Sequence, residues 1–285
     1  MKVIYRDPTP FDRGWKPDGG YDAGKLFYDQ PSYAAYRAFE GFDFESEQYC
    51  FWDDTGRLAD IRAQVGDFGP LIAALGARNM LAIGSGRPYW ELLIANQAPQ
   101  LRIVASDIHP PQHVEADLLR AAEFGFGDAG TRVSYRRLDI RDLGQVSQVL
   151  EAHAIDTIFI CACFFTSDDP VWTDFFALAV KAGVRNVILL HAEEIAPVNQ
   201  WRYRLFGPPR RGVFFGYLRS SAAIRAVFET VGMRCIAQYV PPQGAGLLHR
   251  LLARLRIHFA HKGYVFTRDP ALGSMRRQLA RAMRG

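Results

Sequence analysis

Cysteine is scarce: Cys50, Cys161, Cys163 and Cys235 are the four among 285 residues, and no pair is spaced as Cys-x-x-Cys. Neither a disulfide framework nor a metal centre is expected from them, and Cys161 and Cys163 lie in an apolar run where a thiol acts as a small hydrophobe. Long hydrophobic runs are missing too. No stretch approaches the roughly 18 to 20 apolar residues of a membrane-spanning helix, and the opening residues, MKVIYRDPTPFDRGW, lack the charged-then-apolar order of a signal peptide. A soluble cytoplasmic protein is expected. Internal repeats and low-complexity tracts are absent, which excludes a solenoid.

Acid is rare in one part of the chain only. Residues 1–200 hold 18 Lys plus Arg against 28 Asp plus Glu, whereas residues 201–285 hold 16 against 2. A basic block of this kind suits an anionic partner or an arginine-rich solvated surface. Leucines 247, 248, 251, 252 and 255, interleaved with His249, Arg250 and Arg254, predict a basic amphipathic helix inside it. At the other end, residues 1–56 are dense in aromatics, and 1–76 read as a cap with lead-in helices. The main domain is then 77–270, with a basic tail at 271–285.

What is present between these ends is alternation. Short strand-like segments, apolar or alternating, at 80–83, 103–107, 133–138, 156–165, 187–190, 234–240 and 264–268 predict seven strands. Helical spacing falls at 89–98, 113–124, 143–153, 172–182 and 218–231, between successive strands. This order predicts an α/β fold, a doubly wound and mostly parallel seven-stranded sheet with helices on both faces.

The most informative stretch is 79–111, NMLAIGSGRPYWELLIANQAPQLRIVASDIHPP. Strand, glycine turn, helix, strand and acid follow in that order. Gly84 and Gly86 let a ligand approach the backbone, and Asp107 arrives about twenty residues later, where an acid meets ribose hydroxyls. No Gly-Lys-Ser/Thr follows the turn, which excludes a phosphate loop. A dinucleotide fingerprint needs a third glycine where Tyr89 stands, and Pro88 removes an amide that a pyrophosphate would use.

In the order and spacing of these residues, 79–239 resembles the class I S-adenosylmethionine-dependent methyltransferases. The Gly84-x-Gly86-x-x-Tyr89-Trp90 turn, with Asp107, Pro110 and Pro111 after the second strand, is similar to a poorly characterised branch of that class. The resemblance implies that Gly84, Ser85 and Gly86 curl around the cofactor's amino-acid portion and that Asp107, with Ile108 beside it, holds the ribose. It also implies that Asp139 and Ile140 lie near the adenine. Tyr89 reads most simply as a core and helix-packing residue, and its place on the first helical turn also makes it a candidate for contact with the ligand. The family often has an acid two residues before the first glycine; here that residue is Ala82, and Glu91 does not simply replace it because it begins the helix. The fourth strand ends in CACFFTSDDP rather than in the Asn/Asp-Pro-Pro-aromatic motif of base-methylating enzymes.

An enzyme moving a methyl group to a small or anionic acceptor is therefore expected, with His191 and Asp168 as candidate bases at strand ends. Asp107 and Asp139 also fit strand-end acids that cap the following turn, and His191 fits a histidine satisfied by backbone groups. Two other functions stay open. One is an NAD(P)-dependent oxidoreductase, and the other is a non-catalytic Rossmann-like module whose basic surface takes an anionic partner.

Overall fold

Strand-forming runs that are apolar at every position need cover on both faces, and the chain supplies it. The structure, a computed structural model, describes residues 68–108, 114–192, 194, 196–198, 201, 205, 219–239 and 263–275. Residues 1–67 of the cap, the leucine-rich segment 247–255 and residues 276–285 of the tail lie outside these residues. Helix α1 (Phe68–Leu75) leads into β1 (Asn79–Ile83), α2 (Tyr89–Gln97), β2 (Arg102–Asp107), α3 (Val114–Leu119), the short α4 (Ala129–Arg132) and β3 (Val133–Arg137). There follow α5 (Leu143–Ala152), β4 (Thr157–Cys161), α6 (Asp169–Lys181), β5 (Asn186–Leu190), α7 (Ser221–Thr230), β6 (Arg234–Tyr239) and β7 (Gly263–Thr267). All seven predicted strands are present.

They form one sheet in the order β3-β2-β1-β4-β5-β7-β6. The first five neighbours pair in parallel, and β7 runs antiparallel to both β5 and β6. Side chains alternate between two cores, as a period of two requires. Met80, Ala82, Ile103, Ala105, Phe159 and Ile188 face one core with α1 and α2. Leu81, Val104, Ile158, Ile160, Val187 and Leu189 face the other with α5, α6 and α7. The second core is aromatic: Phe228 stacks on Phe266 at 3.8 Å between ring centres, and Trp172 stacks on Phe176 at 5.6 Å. After β1 the chain goes outward to β2 and β3, then returns to β4 on the other side. That reversal makes the carboxyl ends of β1 and β4 a topological switch point, beyond which open α/β sheets bind ligands in a crevice.

Side-chain caps set several helix starts. Asp142, Asp168 and Ser220 accept the backbone N–H of Gln145, Val171 and Ala223 at 3.0, 3.2 and 3.2 Å. Asp168→Ala is expected to remove about 1 kcal/mol of stability, read as a lower urea midpoint at unchanged slope; no change would mean that Asp168 is not held as a cap.

Several boundaries differ from the periodic reading, among them α7, which starts at Ser221 rather than at 218 after its Ser220 cap. The run 156–165 stops being strand at Cys161, because Ala162 turns to φ +54° and Phe164–Thr166 form a 3-10 turn. Phe164 is then buried beside Trp172 and Phe228. Helix α6 starts three residues early, at Asp169 rather than at 172, since Asp168 caps it and Pro170 fits its first turn. The segment 113–124 divides into α3 and a 3-10 turn, Ala121–Phe124, ended by Gly125 at φ +80°. No helix among the described residues is long and apolar enough to cross a membrane.

Candidate functional site

The glycine turn leaves β1 with Gly84 at φ +69° and Gly86 at φ +51°, a region that side chains other than glycine enter at a cost. Hydrogen bonds tie it to β2 and β3. Ser85 N–H donates to the Ser106 carbonyl at 2.9 Å, Gly86 N–H donates to Asp107 Oδ2 at 3.0 Å, and Tyr135 Oη donates to the Gly86 carbonyl at 2.8 Å. Ser106 Oγ donates to the Ala82 carbonyl at 2.7 Å. From the other side, Cys163 Sγ donates to the Ile83 carbonyl at 3.2 Å, and a Cβ on Gly84 would lie 2.6 Å from both Cβ and Sγ of Cys163. The turn is a tightly cradled backbone loop, and a side chain at its first position has no room.

The structure brings several predicted residues together here. Gly84, Ser85, Gly86 and Asp107 form one unit, with half-buried Asp107 aligned by the Gly86 amide, and Ile108 follows it. Asp139 stands just past the neighbouring strand, where Arg141 holds it through Nε–Oδ1 at 3.1 Å and Nη2–Oδ2 at 2.8 Å. Ile140 is buried in the second core. Tyr89 is 1% exposed and packs in the first core, so the structure places it with the helix packing rather than in the crevice. Asp168 spends Oδ1 on the cap of α6.

His191 follows β5 at φ +48° and meets Trp90 of α2 edge-on, 5.9 Å between ring centres. Ala162 takes the same left-handed conformation just after β4, and Cys161 and Leu190, the residues before this pair, are register partners. Two adjacent strands thus end in strained residues on the rim of the crevice, a place where strain gathers at functional sites.

Sequence reasoning set aside Glu91 and missed other members. Glu91 in the first turn of α2 is 2% exposed, and its Oε2 has no hydrogen-bond partner among the described residues. Burial pushes its carboxyl up to about 7 from 4.5; a hydrogen bond with Ser85 opposes this and the charge of Asp107 adds to it. Because the folded value lies above the unfolded one, the carboxyl stays neutral without penalty at low pH. Its burial then destabilises the fold progressively as pH rises from about 4.5 to 7. Burial also pushes the Cys163 thiol up, with Asp107 adding, so it stays protonated and serves as the donor to Ile83. Arg219 is fully buried, donating to Asp169, Phe164 and Ser167, and Tyr264 Oη bonds Glu194 and Ser221. Burial and then the Glu194 charge hold the Tyr264 phenol protonated.

No protein-family model and no curated protein matches the sequence. Solved structures do match. The magnesium protoporphyrin IX methyltransferase of Synechocystis PCC 6803, solved with S-adenosylhomocysteine bound, aligns at TM-score 0.50 and 12% identity over 87% of this chain and 100% of its own. Mitomycin 7-O-methyltransferase aligns at TM-score 0.50 and 18% identity over 88% of this chain, which spans 62% of that enzyme. The chain has the Rossmann-like fold of the class I S-adenosylmethionine-dependent methyltransferases.

Proposed function

We propose that the chain binds S-adenosylmethionine at the crevice beyond β1 and β2 and transfers its methyl group to a small-molecule acceptor beyond β4 and β5. One observation carries the reading: the glycine turn and the strand-end acid Asp107 are bonded to each other at the switch point of a methyltransferase-ordered sheet. Cys163 leaves no space for a Cβ at position 84, so the backbone path of the turn depends on glycine there. Gly84, Ser85 and Gly86 would hold the amino-acid portion and Asp107 the ribose. Asp139 and Ile140 would line the adenine side, with Asp139 held in place by Arg141.

When bound, the cofactor supplies an electrophilic methyl on a sulfonium. What the chain contributes is placement of the acceptor in line with that methyl, which by itself lowers such barriers by several kcal/mol. His191, on the rim, would take the proton of a hydroxyl acceptor. Asp168 is assigned to its cap rather than to proton transfer. The surplus of cations in 201–285 favours an anionic acceptor or partner. Against a dinucleotide, Tyr89 packs in the core at the place of the third glycine, and Pro88 precedes the helix without a side-chain cap.

Titration calorimetry with S-adenosylhomocysteine tests the proposal. Binding is expected, about 10- to 100-fold weaker in Asp107→Ala because a charge-assisted hydrogen bond is removed, and NAD should give no heat. No binding, or binding indifferent to Asp107→Ala, would sink it.

A further inference from the structure

A carboxyl in the first turn of a helix normally reaches water, where the helix dipole favours its charge. Glu91 does not: it is 2% exposed and one oxygen is without a partner, although it stands within hydrogen-bond reach of Ser85 in the glycine turn. An unsatisfied buried carboxyl is costly, and the charge acting on this one is another carboxylate, Asp107. Two acids thus flank one turn. Such a pair is complemented by a cation arriving with a ligand.

The surroundings sharpen this. Position 82 on β1, two residues before the turn, is an alanine at 0% exposure, so the strand brings no acid to the crevice. Helix α2 packs on the same face of the sheet as Ala82 and brings Glu91 instead. The groups around this region are Ser85 and Arg87 of the turn, Asp107 of β2, Tyr135 of β3, Cys161 at the end of β4 with Cys163 after it, and His191 against Trp90. Arg132 of α4 is committed to the far end of α2, donating to the Ala95 and Ala98 carbonyls at 2.5 and 3.3 Å.

We propose that Glu91 is the acceptor for the α-ammonium of the cofactor's amino-acid portion, a carboxyl supplied by α2 in place of an acid on β1. The inference rests on the reading that the site takes S-adenosylmethionine or its product. Glu91 is neutral in the empty protein near pH 6 and ionises when the ammonium arrives, releasing its proton to solvent. Affinity therefore rises with pH up to about 7 and levels off above it.

Calorimetry of the full chain with S-adenosylhomocysteine, at about pH 6 in two buffers of different ionisation heat, counts the protons. About 0.9 proton per bound ligand should be released by the wild type, and close to none by Glu91→Gln. The variant should bind about 10- to 100-fold more weakly. Methylthioadenosine, which keeps the nucleoside and thioether but has no amino-acid portion, should bind both proteins alike. Wild-type binding without proton release overturns the inference whatever the variant does. So does a Glu91→Gln protein that keeps full affinity, or one that loses methylthioadenosine equally, since a general distortion of the site would do that. Wild type that binds neither ligand refutes the cofactor reading itself.

Discussion

Replacing Arg219 by methionine is expected to remove about 3 to 5 kcal/mol of folding stability, the loss seen when one partner of a buried ion pair is deleted. The guanidinium is 0% exposed, with Nε 2.6 Å from Asp169 Oδ1 and its two amino groups donating to the Phe164 and Ser167 carbonyls at 3.0 and 2.6 Å. Its carbon lies 4.7 Å from the centre of the Phe164 ring. Methionine keeps much of the volume and none of the donors, so the Ser167 carbonyl and a partly buried carboxylate lose this donor together, while the Phe164 carbonyl keeps the Trp172 indole N–H at 2.9 Å. Arg219→Lys retains the charge but not the planar fork, and should fall between the two. Adding Asp169→Asn to Arg219→Met should recover part of the loss, because the stranded carboxylate is then neutral. Urea unfolding measures all four proteins; a loss below about 1 kcal/mol for Arg219→Met would show the residue to be an ordinary surface cation.

That arginine also marks a limit of what can be read from sequence. Counted by composition, it is one of sixteen cations in a basic block, with solvent its default neighbour. Its burial follows from an isolated bridge between Glu194 and Arg219, residues whose approach local periodicity does not encode. The sheet was legible because most strands are short apolar runs bounded by turn residues, β3 alternating instead, and the period of two sorts the side chains into two cores. Gly84, Gly86 and Asp107 were legible because spacing along one βαβ unit suffices to bring them together. Glu91 was misjudged for the opposite reason: its place in the helix is local, but its burial is tertiary, with Asp107 of β2 and Cys163 after β4 close enough to act on it electrostatically. Ala162 gave no warning of a left-handed turn, so the apolar run through Phe165 read as strand. The hold of Arg141 on Asp139 spans two residues, a spacing to which neither helical nor strand patterns draw attention.

Gly84→Ala is expected to cost about 2 to 4 kcal/mol and to weaken S-adenosylhomocysteine binding by at least about 100-fold, for two separable reasons. An alanine at φ +69° is strained by about 1 to 2 kcal/mol. Its Cβ would also meet Cβ and Sγ of Cys163 at 2.6 Å, closer than packed carbons tolerate. Gly76 isolates the first term, because it has φ +62° but nothing within 4 Å of an added Cβ. Gly76→Ala should therefore show only the backbone strain and leave ligand binding intact. The contact term is isolated by Cys163. In the Gly84→Ala background, Cys163→Gly should restore part of the stability and of the binding, whereas Cys163→Ala should restore little because its Cβ remains. Equal losses for Gly84→Ala and Gly76→Ala would mean that the turn is not closed by the end of β4. The expected inequality instead ties ligand access at β1 to the conformation of the chain after β4, the same wall along which an acceptor would have to lie.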